Sequence, residues 1–101
     1  MKICVTSQGS ELSSPVDPRF GRARTFIIYD SETGAFEALD NQQNLQAAQG
    51  AGIQAAQNVV RSGAKVVLTG HCGPKAFSVL SRAGIEIFSG ASGSVQDAIA
   101  A

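Results

Sequence analysis

Metal-ligating and aromatic residues are scarce in this sequence of 101 residues, which has one histidine, two cysteines and no tryptophan. A closed zinc site normally takes four cysteine or histidine ligands, and three such residues in total do not provide them. The sequence therefore argues against an isolated structural zinc site. A reducing compartment would keep both cysteines as thiols, although the sequence leaves a disulfide between them open.

Long apolar runs and net charge are lacking as well. No apolar run approaches the roughly 20 residues that a membrane-spanning helix needs, and the opening run MKICV is interrupted too soon for a signal peptide. Eight basic and eight acidic residues balance, so no overall field attracts nucleic acid or an acidic membrane surface. We therefore expect a cytoplasmic protein with neither a nucleic-acid nor a membrane partner.

What the chain does have is a composition suited to one modest core. Its residues are 44% hydrophobic and 16% charged, which is typical of a globular chain rather than a disordered one. At this length we expect a single domain over residues 1–101. Repeats, linkers and low-complexity tracts are not evident in the sequence.

Stretches with β-strand and helical patterns follow one another in an order that predicts the fold. β-prone apolar runs predict five strands, at residues 2–7, 25–30, 35–39, 65–69 and 85–88. Apolar residues at helical spacing predict three helices, which begin at Gly50, Pro74 and Ser94. A polar connector rich in Asn and Gln is expected at residues 40–49.

The predicted order of elements, βββαβαβα, is that of an α/β protein with a mixed sheet. An antiparallel start followed by two strand–helix units places the first strand at the centre. We expect five strands in the order 3-2-1-4-5, with helices on both faces, as in ribonuclease H-like folds. Cys4 lies inside the first strand and is expected to be a small buried hydrophobe.

The turn between the fourth strand and the helix at residue 74 is the first candidate site. Such turns at the carboxyl edge of a parallel sheet are where open α/β folds bind ligands. His71 and Cys72 place two soft ligands there as candidate metal-binding residues. Gly70 and Gly73 allow a close approach of the backbone, and Lys75 in the first helical turn is positioned for an anion near the helix N-terminus.

The adjacency of His71 and Cys72 limits this reading. In extended conformation the two side chains point to opposite sides, and only a turn would let both reach one metal. The alternative is that His71 is a loop residue bonded to backbone and that Cys72 packs at the helix entry. A bare metal ion would need more protein ligands than this pair supplies, so a metal bound here would have to bring further ligands of its own.

An arginine-rich loop is the second candidate. Arg19, Arg22 and Arg24 place three cations within six residues, in a loop expected near the same edge of the sheet. Arg19 and Arg22 are candidates for binding an anionic ligand. The alternative is that these arginines are solvent-facing charges paired with Asp17 or Glu11, and this is the interpretation we favour for Arg24.

Four motifs spread along the chain resemble those of a known family. They are DPRFGRA at 17–23, GAGIQAA at 50–56, TGHCGPKAF at 69–77 and AGI at 83–85. Together they resemble the dinitrogenase iron-molybdenum cofactor-binding domain family, in its small stand-alone form. The resemblance implies a ribonuclease H-like fold and a role in binding, carrying or helping to assemble an anionic metal–sulfur cluster that contains iron, molybdenum or copper.

Two other classes of function stand beside this expectation. One is a ligand-free interaction domain for a partner ATPase or cluster-assembly protein, which nothing in the sequence excludes. The other is a thiol redox enzyme that uses Cys72, but no second cysteine stands close by in the sequence to resolve a disulfide. Two-metal hydrolysis would need clustered carboxylates, and the aspartates form no clear set. We therefore expect a binding protein and not an enzyme.

Overall fold

Five strands form one mixed sheet in the computed structural model, which describes residues 1–41 and 51–100. The strands are β1 (Lys2–Ser7), β2 (Thr25–Asp30), β3 (Phe36–Asp40), β4 (Val66–Leu68) and β5 (Glu86–Phe88). Their order in the sheet is β3-β2-β1-β4-β5. The predicted fold class and strand order are therefore confirmed.

The ends of the shorter strands differ slightly from prediction. β3 is shifted by one residue and takes in Asp40, which had been assigned to the following connector. β4 lacks the predicted end residues Lys65 and Thr69, but these still donate backbone hydrogen bonds, to Lys2 and Phe88 respectively. The remainder of the predicted connector, residues 42–49, and the predicted helix start at residue 50 lie outside the described residues.

β1 is the central strand because it pairs on both sides. It runs antiparallel to β2 along its whole length and parallel to β4. The carboxyl ends of β1 and β4 therefore meet at one edge of the sheet, which is the edge where parallel strands present their ligand-binding loops.

Among the described residues, three helices cover the sheet: α1 (Ala51–Ser62), α2 (Pro74–Arg82) and α3 (Val95–Ala100). Pro74 occupies the start of α2, where its missing N–H costs no hydrogen bond. α3 begins with a capping box: the Asp97 N–H donates to Ser94 Oγ at 3.2 Å and the Ser94 N–H donates to Asp97 Oδ2 at 3.4 Å. None of the described helices is long and apolar enough to cross a membrane.

Buried side chains form a cluster on each face of the sheet. The larger cluster joins the sheet to α1 and α2 and includes Cys4, which is fully buried, with Phe26, Val59 and Leu80. The smaller one packs Val95 of α3 and apolar side chains of the loop before β2 against the opposite face. Alternate residues of β1 point to the two clusters, and the prediction of helices on both faces is confirmed.

Candidate functional site

The arginine-rich loop lies directly beside the β4–α2 turn. Arg19 and His71 form an isolated parallel bridge, and the Phe20 N–H donates to the carbonyl oxygen of His71 at 3.0 Å. This pairing extends the sheet past the carboxyl ends of β1 and β4. The two stretches singled out in the sequence therefore meet at one edge of the sheet, as predicted.

Gly70 is required by this close approach of the two segments. A Cβ atom at Gly70 would lie 2.6 Å from Pro18 Cα and 2.8 Å from the Pro18 carbonyl oxygen. Apart from its chain neighbours, no described residue has an atom within 4 Å of a Cβ built on Gly73. The sequence suggested that a ligand approaches the backbone at Gly70. In the structure, Pro18 of the protein's own loop occupies that space.

The residue that begins the loop, Asp17, is buried and holds the backbone of Arg19. Its carboxylate oxygen Oδ1 accepts the Arg19 N–H at 2.9 Å and lies 3.8 Å from Arg19 Nε. The Arg19 side chain is 68% exposed, while that of Asp17 is 8% exposed. Arg19 is therefore both paired with Asp17, as the alternative interpretation proposed, and accessible to a ligand.

Three arginines line one groove at this edge. The groove has a volume of about 630 Å³ and is lined by Gln8, Asp17, Pro18, Arg19, Arg22 and Arg24; we call it the arginine groove. Arg24, which the sequence analysis took as a solvent-facing charge, is exposed and also lines the groove. Gln8 was missed, although its position directly after β1 at the carboxyl edge was a usable signal.

A second groove lies at the entries of two helices. It has a volume of about 380 Å³ and is lined by Gly21, Gly52, Ile53, Gly73, Pro74, Lys75 and Ala76; we call it the helix-entry groove. Neither α1 nor α2 has an acidic residue in its first turn, and the positive end of each helix dipole there favours an anion. The predicted site residues thus divide: Arg19 and Arg22 line the first groove, and Gly73 and Lys75 line the second.

His71 and Cys72, the two candidate metal ligands, have different surroundings. His71 is exposed, whereas Cys72 is half-buried and packs against the larger core cluster. Within the part of the chain that the structure describes, no group of three or more His, Cys, Asp or Glu side chains is placed to hold a metal ion.

Burial governs the chemistry of both cysteines. Cys4 and Cys72 are free thiols, which excludes the disulfide that the sequence had left open. Loss of solvation raises the pKa of the Cys72 thiol above its ordinary value, and complete burial raises that of Cys4 further. A reactive thiolate needs a lowered pKa, so the environment of Cys72 argues against the thiol redox enzyme.

Several known proteins resemble this chain over nearly its whole length. The apo form of the orange protein from Desulfovibrio gigas superposes with a TM-score of 0.95 and is 45% identical, over 98% of this chain and 83% of that one. A Thermotoga protein described as a candidate NifB protein gives a TM-score of 0.85 and 36% identity, over 98% of this chain and 84% of that one. The uncharacterised protein MJ0580 of Methanocaldococcus jannaschii is 28% identical over 98% of this chain and 82% of its own length.

A comparison of the sequence with family profiles identifies the family. The profile described as dinitrogenase iron-molybdenum cofactor matches residues 1–101, and the resemblance carried by the four motifs is confirmed. The family and the structural matches support a role in binding or carrying a cofactor. The chain belongs to the dinitrogenase iron-molybdenum cofactor family.

Proposed function

We propose that this protein binds and carries an anionic metal–sulfur cluster, of the iron-molybdenum kind or a related molybdenum, iron or copper sulfide. The observation on which the proposal rests is the arginine groove, which three arginines line beside the turn that carries His71 and Cys72. Family membership gives the class of ligand, and the groove gives it an electrostatic partner.

The charge of the groove suits a multiply charged anion. Arg19, Arg22 and Arg24 each bring a guanidinium cation to the lining of the groove, and the Asp17 carboxylate lies 3.8 Å from Arg19 Nε. At about 4 Å a charge pair gains roughly 1 kcal/mol in water and about 4 kcal/mol where solvent is partly excluded. Several such contacts hold an anion without a covalent anchor and still let it leave, as a carrier requires.

Direct metal bonds would come from the β4–α2 turn. His71 is exposed and can offer an imidazole nitrogen to a metal. Cys72 is half-buried and protonated, so it must release a proton before it can coordinate. Gly73 and Lys75, in the helix-entry groove, would contact the anion through backbone N–H groups and an ammonium group. In this proposal the protein is a cytoplasmic carrier and catalyses no reaction.

A docking site for a partner protein, such as an ATPase or a cluster-assembly protein, is the second candidate. Phe77 in the first turns of α2 is 50% exposed, close in sequence to Lys75. Exposed aromatic side chains are frequent anchors in protein interfaces. This surface is compatible with a carrier that delivers its cluster to a partner.

The proposed function is tested by anaerobic titration of the purified protein with tetrathiomolybdate, followed by visible absorption. The variant Arg19→Ala/Arg22→Ala removes two groove cations. The matched control Arg82→Ala removes one exposed cation from the last turn of α2, away from the helix entry. We expect the double variant to bind about tenfold more weakly or worse and the control to bind like the wild-type protein.

Two results would contradict the proposal. One is the absence of any saturable binding of tetrathiomolybdate by the wild-type protein. The other is an equal loss of affinity in the Arg82 control, because that would show a response to net charge and not to the groove. Molybdate serves as a comparison anion of the same charge, and weaker binding of molybdate would assign the preference to sulfide ligands.

A further inference from the structure

Two fully buried threonines stand directly under the arginine loop. Thr6 lies in β1, and Thr69 follows β4; both are fully buried. Their hydroxyl oxygens are 2.9 Å apart across the adjoining carboxyl ends of the two strands. A buried hydroxyl is costly unless it is hydrogen-bonded, so this pair calls for an explanation beyond filling space.

The direction of the hydrogen bonds gives that explanation. The Thr6 hydroxyl donates to the Asp17 carbonyl oxygen at 2.7 Å. Because a hydroxyl has one proton, the 2.9 Å contact between the threonines must use the Thr69 proton, with Thr6 Oγ1 as acceptor. The Thr6 carbonyl oxygen also accepts the Asp17 N–H at 2.9 Å. Thr6 therefore holds both backbone groups of Asp17, and Thr69 orients the Thr6 hydroxyl.

Asp17 passes this constraint on to the arginine loop. Its carboxylate accepts the Arg19 N–H, and the next residue, Phe20, donates to His71. The loop is thereby held at Asp17 by the hydroxyl pair and at Phe20 by the β4–α2 turn. The Arg19 side chain, which is largely exposed, has a backbone fixed from both directions.

We propose that Thr6 and Thr69 are positioning residues for the arginine groove, which set the placement of Arg19 for an anionic ligand through the backbone and carboxylate of Asp17. The inference rests on the proposed function, because it assigns these residues to the same site. The threonines are too deeply buried to touch the ligand, so their effect on binding must pass through the loop.

The variants follow from the hydrogen bonds. Thr6→Val keeps the side-chain shape and removes the bond to Asp17, whereas Thr6→Ser keeps the hydroxyl. Thr69→Val removes only the bond that orients Thr6 and is the milder change, which keeps the test usable should Thr6→Val fold poorly. Val59→Ala in α1 is the control for lost stability, since Val59 is fully buried in the core.

Each variant is titrated anaerobically with tetrathiomolybdate at a temperature where circular dichroism shows it fully folded. We expect Thr6→Val to bind about fivefold more weakly, Thr69→Val to fall between it and wild type, and Thr6→Ser to bind like wild type. In an Arg19→Ala background, Thr6→Val should reduce the affinity for tetrathiomolybdate little further, because Thr6 acts through Arg19. Val59→Ala should lose stability and keep wild-type affinity.

The outcomes separate this inference from the proposed function. Wild-type binding that is lost in Arg19→Ala but unchanged in Thr6→Val and Thr69→Val overturns the positioning role and leaves the proposed function standing. An equal loss of binding affinity in Thr6→Val and Val59→Ala also overturns the positioning role, because general destabilisation would then explain both losses. A wild-type protein that does not bind the probe overturns the proposed function, and the positioning inference with it.

Discussion

The replacement Gly70→Ala gives the sharpest test of how the two halves of the site are joined. Gly70 does not have a positive φ, so alanine fits its backbone conformation and any effect must come from the added Cβ. That atom would lie 2.6 Å from Pro18 Cα, 2.8 Å from its carbonyl oxygen and 3.1 Å from its carbonyl carbon. These neighbours are backbone atoms, which cannot rotate away as a side chain does.

The cost follows from these distances. Carbon atoms in ordinary contact lie about 3.5–4.0 Å apart, so the loop must move by about 1 Å. A shift of that size stretches the Phe20–His71 hydrogen bond, now 3.0 Å, out of the usual range. Overpacking together with one weakened hydrogen bond predicts a loss of about 2–3 kcal/mol in the free energy of unfolding.

The assay is denaturant unfolding of Gly70→Ala beside a matched variant, Gly73→Ala. Gly73 has φ −67°, and a Cβ there would meet none of the described residues beyond its chain neighbours, so we expect that variant within about 0.5 kcal/mol of wild type. Wild-type stability in Gly70→Ala would refute the described packing of Pro18 on the turn. A loss of probe binding in stable Gly73→Ala would instead support ligand contact at the helix-entry groove.

The remaining predictions concern the two cysteines and His71. Cys4→Ala should lose on the order of 1 kcal/mol through the cavity it leaves and should retain probe binding; lost binding in a folded variant would make Cys4 a ligand. Burial raises the pKa of the Cys4 thiol. The buried thiol therefore stabilises the folded state fully below the ordinary cysteine pKa and progressively less above it. The stability gap between wild type and Cys4→Ala should therefore narrow above about pH 8.5, and a constant gap would contradict the assignment. His71→Ala and Cys72→Ser should reduce cluster retention with little change in melting temperature; unchanged affinity in both would remove the turn side chains from the ligand set.

The sheet and its helices were predictable because hydrophobic period and turn residues act locally. Gly63 and Gly84 follow the first two helices with φ +84° and +79°, a conformation that glycine adopts without strain, and Ser94 and Asp97 have the spacing of a capping box. The central position of β1 followed from its uninterrupted run of β-prone residues.

The site was predictable only in part, because its contacts join residues far apart in sequence. The predicted strand order was enough to place the arginine-rich loop beside the β4–α2 turn. The division into two grooves was not foreseen, since it depends on where Gly21 and Lys75 lie relative to the helix entries. The role of Gly70 was assigned to a ligand because no local pattern indicates that Pro18 occupies that space.

The hydroxyl pair of Thr6 and Thr69 was likewise invisible in the sequence. Threonine is common in strands for its β-branched shape, so neither residue stood out. Only the pairing of β1 with β4, 63 positions apart at this point, places the two hydroxyls together. Such long-range polar contacts need the folded backbone before they can be recognised.

The metal content of the protein isolated anaerobically from cells supplied with molybdenum tests the central claim most directly. Elemental analysis and a visible absorption spectrum would be recorded for wild type, Arg19→Ala/Arg22→Ala and Arg82→Ala. We predict bound metal with inorganic sulfide and visible absorption in the wild type and the Arg82 control, and a marked loss of both in the groove variant. A wild-type protein without metal and sulfide, or a groove variant that retains them fully, would contradict the account.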